Sequence, residues 1–293
     1  MTALGALDAE LASWPGRVSV WCAAIGAATP AYARRADERH YAASTMKVAV
    51  LIALYRAAAV GAIDLDAPVR VANDFASAKP GAPRFAIPRA YDHDDDVWAR
   101  LDGTATPRWL GRHMIVRSSN LATNVLLDLV GTLAIADVLR DAGARNSRVE
   151  RGIADTAASD DGIDNEVTVR DLAALFGAIV RGAAQADSDS RSAIAGPTAC
   201  AEMLDMLCAQ EHRVDIATGL PPGTRVAHKN GWVTGVRHSA GVVFPDDAAP
   251  YVLAVCTTSE DADDEAACAL IGRVAAASWA DRHVIAAASD VAA

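Results

Sequence analysis

HYAASTMKVAVLIALYR, residues 40–56, is the stretch on which the reading of this chain turns. A polar step, Ser44-Thr45-Met46-Lys47, opens a run that is apolar on nearly every face. A helix over 44–60 without a polar side belongs in the centre of a protein, and Gly61 ends it. Lysine is rare in the chain, occurring as Lys47, Lys79 and Lys229. One of these three therefore stands at the entrance to the most hydrophobic helix, three residues after a serine.

That placement has a chemical meaning. Residues i and i+3 share a helix face. A serine hydroxyl is a poor nucleophile until a base takes its proton. A lysine serves as that base only when desolvation or nearby positive charge lowers its pKa. Burial in an apolar helix supplies the first, and the positive end of the helix dipole opposes a further charge.

The chain around this stretch has 293 residues, 52% of them hydrophobic, enough for a large core. Its formal charge of −10 argues against a nucleic-acid partner. No apolar run reaches the roughly 18 residues of a membrane span. With Met1 as the natural start, MTALGALDAELASWPGRVSV has acids and no early basic residue, so a cytoplasmic protein is expected. Cys22, Cys200, Cys208, Cys256 and Cys268 are odd in number and scattered, and read as reduced, mostly buried thiols.

Working outward, residues 2–12 read as a helix, and RVSVWCAAIG (17–26) and AYARR (31–35) as strands. Residues 73–105 form a long irregular connection, rich in Pro, Gly and Asp. Its His93-Asp94-Asp95-Asp96 run matches no metal-ligand spacing and reads as a solvated acidic loop. Helices are expected over 107–117, 119–130, 132–142, 168–183 and 197–210, with Thr168 as a cap. Residues 145–167 are a second loop. Three strands follow at 225–233, 236–245 and 250–258, then a helix over 263–288. Two early strands joining three late ones give an α/β, two-lobed fold. A five-stranded antiparallel sheet flanked by terminal helices would come from 1–60 and 211–293, with an all-helical lobe, 61–210, inserted. The site would lie in the cleft between the lobes.

Two further motifs join the first. Ser118-Ser119-Asn120 stands at the junction of two helices, and Lys229-Asn230-Gly231 on a strand. With Ser44-x-x-Lys47, this set and its order resemble the S-x-x-K, S-D-N and K-T-G motifs of class A β-lactamases and penicillin-binding proteins. SSNLATNVLLDLVG and TVRDLAALFGAI resemble helices of that family, and the similarity runs over roughly 15–285.

The resemblance implies Ser44 as acylated nucleophile and Lys47 as its base. It implies Ser118 as the relay to the leaving group and Lys229 as the charge that tunes both. Asn120 would contact the substrate amide or hold Lys47. The N–H groups of Ser44 and Trp232 would form the oxyanion hole, with Gly231 allowing close approach. Asn230 stands where a hydroxyl usually helps bind an anion, and its amide can still donate. Arg237 and His238 are either partners of a substrate carboxylate or solvent-facing strand residues. No cofactor or metal is implied, the partner is a small-molecule substrate, and the oligomeric state is left open.

Two departures matter. The middle residue of the second motif is Ser119 rather than aspartate. More important, class A β-lactamases release their acyl group with a water held by a loop glutamate. Counting back from Thr168 puts Ile153 at that place. Asp155 is the nearest substitute by count, and Glu166 reads as structural. The sequence thus predicts a serine hydrolase or acyltransferase acting on an ester, amide or lactam of a small metabolite. The alternatives are a class A-like β-lactamase with another deacylating group, a DD-peptidase, or a ligand-binding relative without catalysis.

Overall fold

The computed structural model describes residues 1–27, 29–185, 194–259 and 263–287. In chain order, helix α1 (Asp8–Ser13) is followed by strands β1 (Arg17–Ala24), β2 (Tyr32–Arg34) and β3 (His40–Tyr41), and by helix α2 (Lys47–Ala59). The long connection carries β4 (Val69–Arg70), the short α3 (Asp95–Trp98) and β5 (Thr104–Ala105). The helical block is α4 (Pro107–Val116), α5 (Asn120–Val130), α6 (Thr132–Ala142), α7 (Thr156–Asp160), α8 (Val169–Ala183) and α9 (Pro197–Cys208), with strand β6 (Glu166–Val167) just before α8. Strands β7 (Arg225–Val233), β8 (Val236–Phe244) and β9 (Tyr251–Thr258) lead to helices α10 (Asp264–Ala280) and α11 (Arg282–Ala287).

The main sheet has the order β2-β1-β9-β8-β7, with every neighbouring pair antiparallel. It is the expected five-stranded sheet of two early and three late strands. Both faces are covered, so its strands read as continuous apolar runs. Alternation sorts the side chains. Val18, Val20 and Cys22 of β1 enter the core shared with Leu270, Ile271 and Val274 of α10. Trp21 and Ala23 enter the larger core of the helical lobe. Strand β7 lies at the sheet edge.

Helix α2 is the axis of that larger core. Val48, Val50, Leu51, Ile52 and Leu54 are fully buried, each contributing about 1.5–3 kcal/mol on burial. The helix packs on α4, α5, α6 and α9. The chain therefore enters the helical lobe at the turn before Lys47 rather than at residue 60. Helix α8, from the inserted block, also packs against β1, β8 and β9.

Two boundaries differ from expectation for identifiable reasons. Residues Ala43–Met46 form a 3₁₀ turn after Ala43 adopts φ +44°, so Ser44 precedes the α-helix instead of lying within it. The terminal helix breaks at Asp281, whose carboxylate accepts from the N–H groups of Ala3 and Leu4 and so ties down the N-terminus. Residue 288, the expected helix end, lies outside the described residues. Thr168 caps α8 as expected, accepting from Asp171 N at 3.1 Å.

Candidate active site

The turn between α4 and α5 holds the second motif. Ser119 caps α5, accepting from Ala122 N at 3.2 Å. Ser118, just before it, takes φ +59°, a left-handed conformation that non-glycine residues seldom adopt and that marks functional sites. Lys47 Nζ lies 2.7 Å from Ser118 O, 3.1 Å from Ser118 Oγ and 2.8 Å from Asn120 Oδ1. From the opposite wall, Lys229 Nζ lies 3.1 Å from the same Ser118 Oγ and 2.9 Å from Asn230 O.

Both lysines are fully buried. Burial, reinforced by the positive charge of Lys229, holds the Lys47 pKa well below its ordinary value, against a smaller opposing pull from Asp92. Burial lowers Lys229 to about 7, with Asp215 opposing. A neutral amine has two N–H donors and one lone pair. Ser118 O and Asn120 Oδ1 only accept, so they use both donors of Lys47. Its lone pair is left to face a hydroxyl, and Ser118 can donate to it while accepting from Lys229. The arrangement can pass a proton along Lys47, Ser118 and Lys229.

Ser44, Ser118, Asn120 and Trp232 line one cleft of about 520 Å³, together with Tyr41, Tyr91, Arg117, Arg151 and Ile153. The edge of β7 closes on the Ser44 turn. A Cβ added to Gly231 would stand 2.8 Å from Ser44 N and 3.0 Å from Thr45 N. Only glycine allows that approach, which sets the N–H groups of the turn beside the strand edge.

Asn230, Arg237 and His238 have other partners. On β7, Ala227 faces the helical lobe and Val226 faces α10; by the same alternation Lys229 faces the cleft and Asn230 the α10 side. The Asn230 amide donates to His212 O and to Asp215 Oδ2, both at 3.0 Å. Burial raises the Asp215 pKa. Arg237 is bonded to Asp264 of α10. His238 is 1% exposed; its Nε2 lies 2.9 Å from Tyr41 O, and its Nδ1 lies 2.8 Å from Arg237 O and 3.2 Å from Thr257 N. It is a buried brace of the strand ahead of Ser44 rather than a solvent-facing residue. With Asp215, Asn230 and Arg237 it borders a second cavity of about 510 Å³ under α10.

In the 145–167 loop, Ile153 lines the cleft, its main chain paired to the Asn124 side chain. Asp155 is 1% exposed and engaged with Ser77 Oγ, Ala78 N and Ala158 N. It caps α7 and pins the long connection, with both oxygens already accepting. Glu166 pairs with Arg39 and Arg148. Asp94, in the acidic run, is buried rather than solvated. It caps α3 and accepts from His113 at 2.6 Å. Asp94, Asp96 and His113 bring possible ligand atoms within 4.8 Å of one another, but the Arg117 guanidinium already reaches both carboxylates.

Residues missed in the sequence are Tyr91 and Asp92, which hold the Ser118 turn from the long connection, and Asp215 behind Asn230. Asp92 and Asp215 lie in irregular segments far along the chain from their partners. Their only signal is an acid in an otherwise apolar or loop context.

The fold and the site together are a sheet closed by terminal helices, an inserted helical lobe, and a cleft holding Ser44 with two buried lysines behind it. The profile of the Beta-lactamase enzyme family matches residues 5–281, and the chain belongs to that family. It is 27% identical over 246 residues to a beta-lactamase of Streptomyces fradiae, covering 83% of this chain and 74% of the other. Among solved structures, a beta-lactamase from Sphaerobacter thermophilus superposes with a TM-score of 0.74 at 26% identity, over 96% of both chains. PBP-A, at 21% identity and a TM-score of 0.73 over 94% of both chains, shares the fold.

Proposed function

We propose that this protein is an acyl-serine hydrolase or acyltransferase that carries its acyl group on Ser44 and acts on an ester, amide or lactam of a small metabolite. The observation that carries the reading is the convergence of two buried lysines on the Ser118 hydroxyl, in the cleft that also holds Ser44.

In this mechanism neutral Lys47 takes the Ser44 proton as Oγ attacks the carbonyl carbon. The oxyanion meets the N–H groups of Ser44 and Trp232. Ser118 hands its proton to the leaving nitrogen or oxygen and recovers one from Lys47, Lys229 holding the relay in place. The bond to the leaving group breaks, and the acyl group remains on Ser44. Ile153 offers no acceptor for a deacylating water, and Asp155 is engaged elsewhere. This favours slow hydrolysis or transfer to a second nucleophile over rapid β-lactam turnover. The test is intact-protein mass spectrometry after incubation with benzylpenicillin and with p-nitrophenyl acetate. An adduct on Ser44 is expected with at least one of them; its absence with both removes the reading.

The naming of the relatives favours a second reading, a class A-like β-lactamase with a different deacylating group. Sustained nitrocefin turnover at more than a few per second would support it, and a stoichiometric burst that stops would eliminate it.

A further inference from the structure

The family pattern has an aspartate where this chain has Ser119. A carboxylate nevertheless reaches the turn, from the 73–105 connection. Asp92, 2% exposed, accepts through Oδ2 from Ser119 Oγ at 2.9 Å and from Leu121 N at 2.7 Å. Its Oδ1 accepts from Asp94 N at 3.1 Å. Beside it, Tyr91 O accepts from Asn120 Nδ2, and Arg89 donates to the Asp92 carbonyl. Three consecutive residues, Ser119, Asn120 and Leu121, are thus held by two residues of the facing segment.

The turn needs such a hold. The left-handed Ser118 stores strain of order 1–3 kcal/mol. Relaxing it would take the Ser118 carbonyl off Lys47 and the hydroxyl out from between the two amines.

We infer that Asp92 is the positioning residue of the Ser118 relay, a carboxylate supplied by the 73–105 connection to do the work that the family pattern assigns to position 119. The inference rests on the acyl-Ser44 reading for its kinetic consequence, though not for its structural one. It also has an electrostatic side. Lys47 is faced by Lys229 from β7, by Asp92 from the connection, by the neutral Ser118 and Asn120 from the turn, and at longer range by His212. Of the acids, Asp92 is the one whose charge opposes the lowering of Lys47. A mere mechanical brace would leave that titration alone.

Two measurements test this. First, lysine labelled with ¹³C at Cε gives one resonance each for Lys47, Lys79 and Lys229. In Asp92→Asn the Lys47 resonance should titrate at least half a pH unit lower than in the wild type. Second, Ser44 acylation by benzylpenicillin and p-nitrophenyl acetate should fall at least tenfold in Asp92→Ala. It should return to within threefold of wild type in the reciprocal double variant Asp92→Ser, Ser119→Asp. An unchanged Lys47 titration overturns the inference. So does a folded double variant that is no faster than Asp92→Ala. If Asp92→Ala fails to fold, Asp92→Asn and the double variant decide. A wild type that is never acylated refutes the acyl-Ser44 reading, and the Lys47 titration then decides on Asp92 alone.

Discussion

Lys47 and Lys229 place their Nζ atoms at the same distance, 3.1 Å, from a single hydroxyl, that of Ser118. One oxygen cannot serve two full ammonium groups in a dry site without a large electrostatic penalty. The two amines therefore titrate as a pair, and Lys229, at about 7, is the one that changes charge near neutrality. If its charged form supports acylation, the rate falls as the pH rises through about 7. Lys229→Arg keeps the charge at every accessible pH and should move that limb upward by at least one unit. Rates of Ser44 labelling between pH 5.5 and 9 decide the point.

Lys47→Ala should lower acylation by about 10²–10⁴, the usual contribution of a general base. The melting temperature should be unchanged or higher, because a buried amine has been removed. Full labelling in this variant would disqualify Lys47 as the base.

Gly231→Ala probes the approach of β7 to the nucleophile. The new methyl would press on Ser44 N and Thr45 N, both main-chain atoms. Overpacking of this kind costs about 1–3 kcal/mol in stability, and a displaced oxyanion donor costs about 10²–10³ in rate. Thermal melts and labelling rates should therefore both drop.

Ile153→Glu places a carboxylate in the cleft where the family pattern has one. The acyl group left by benzylpenicillin should then leave faster than in the wild type, by tenfold or more. Decay of the mass-shifted species over time measures it. An unchanged decay would mean that residue 153 does not face the ester.

Stability should fall on mild acidification. His40, His228 and His238 are buried, and burial holds them at about 3, about 3 and about 4, below their ordinary 6.5. In the unfolded chain they take up protons as the pH drops below 6.5, while the folded protein resists until near 4. The stabilisation is complete above 6.5 and declines between there and about 4, at about 1.4 kcal/mol per pH unit for each proton. Urea unfolding at pH 7.5, 6 and 5 should show declining free energies, and a flat profile would contradict the assignment of neutral, buried rings.

The fold was legible where chemistry or burial is written locally. Ser44-x-x-Lys47, Ser118-x-Asn120 and Lys229-x-Gly231 are short because one helix turn or one strand sets each geometry. Four of the five strands were legible because they are largely buried on both faces and their runs are unbroken; β2 is short and half-exposed, and its place follows from the turn after β1. Asn230 lies one step of alternation from the cleft-facing Lys229, so its side chain points to the opposite face and its amide donates to His212 O and Asp215 Oδ2, partners the sequence does not show. His238 shares the face of Lys229, but its ring is used up on Tyr41 O and Thr257 N. Asp92 was hidden for another reason. Its partner Ser119 is 27 residues away, and the segment between includes an irregular stretch with no periodic pattern to pair them.

The two-residue ladder of β3 with β6 has its own consequence. His40 pairs with Val167 and Tyr41 with Glu166, and Tyr41 stands three positions ahead of Ser44. The far end of the 145–167 loop is thereby riveted to the strand that delivers the nucleophile. The near end is tied as well, Arg148 bridging to Glu166 and the Ile153 main chain pairing with the Asn124 side chain. The loop is thus a span fastened on both sides of the cleft, and a strain introduced at either fastening is passed to the strand ahead of Ser44.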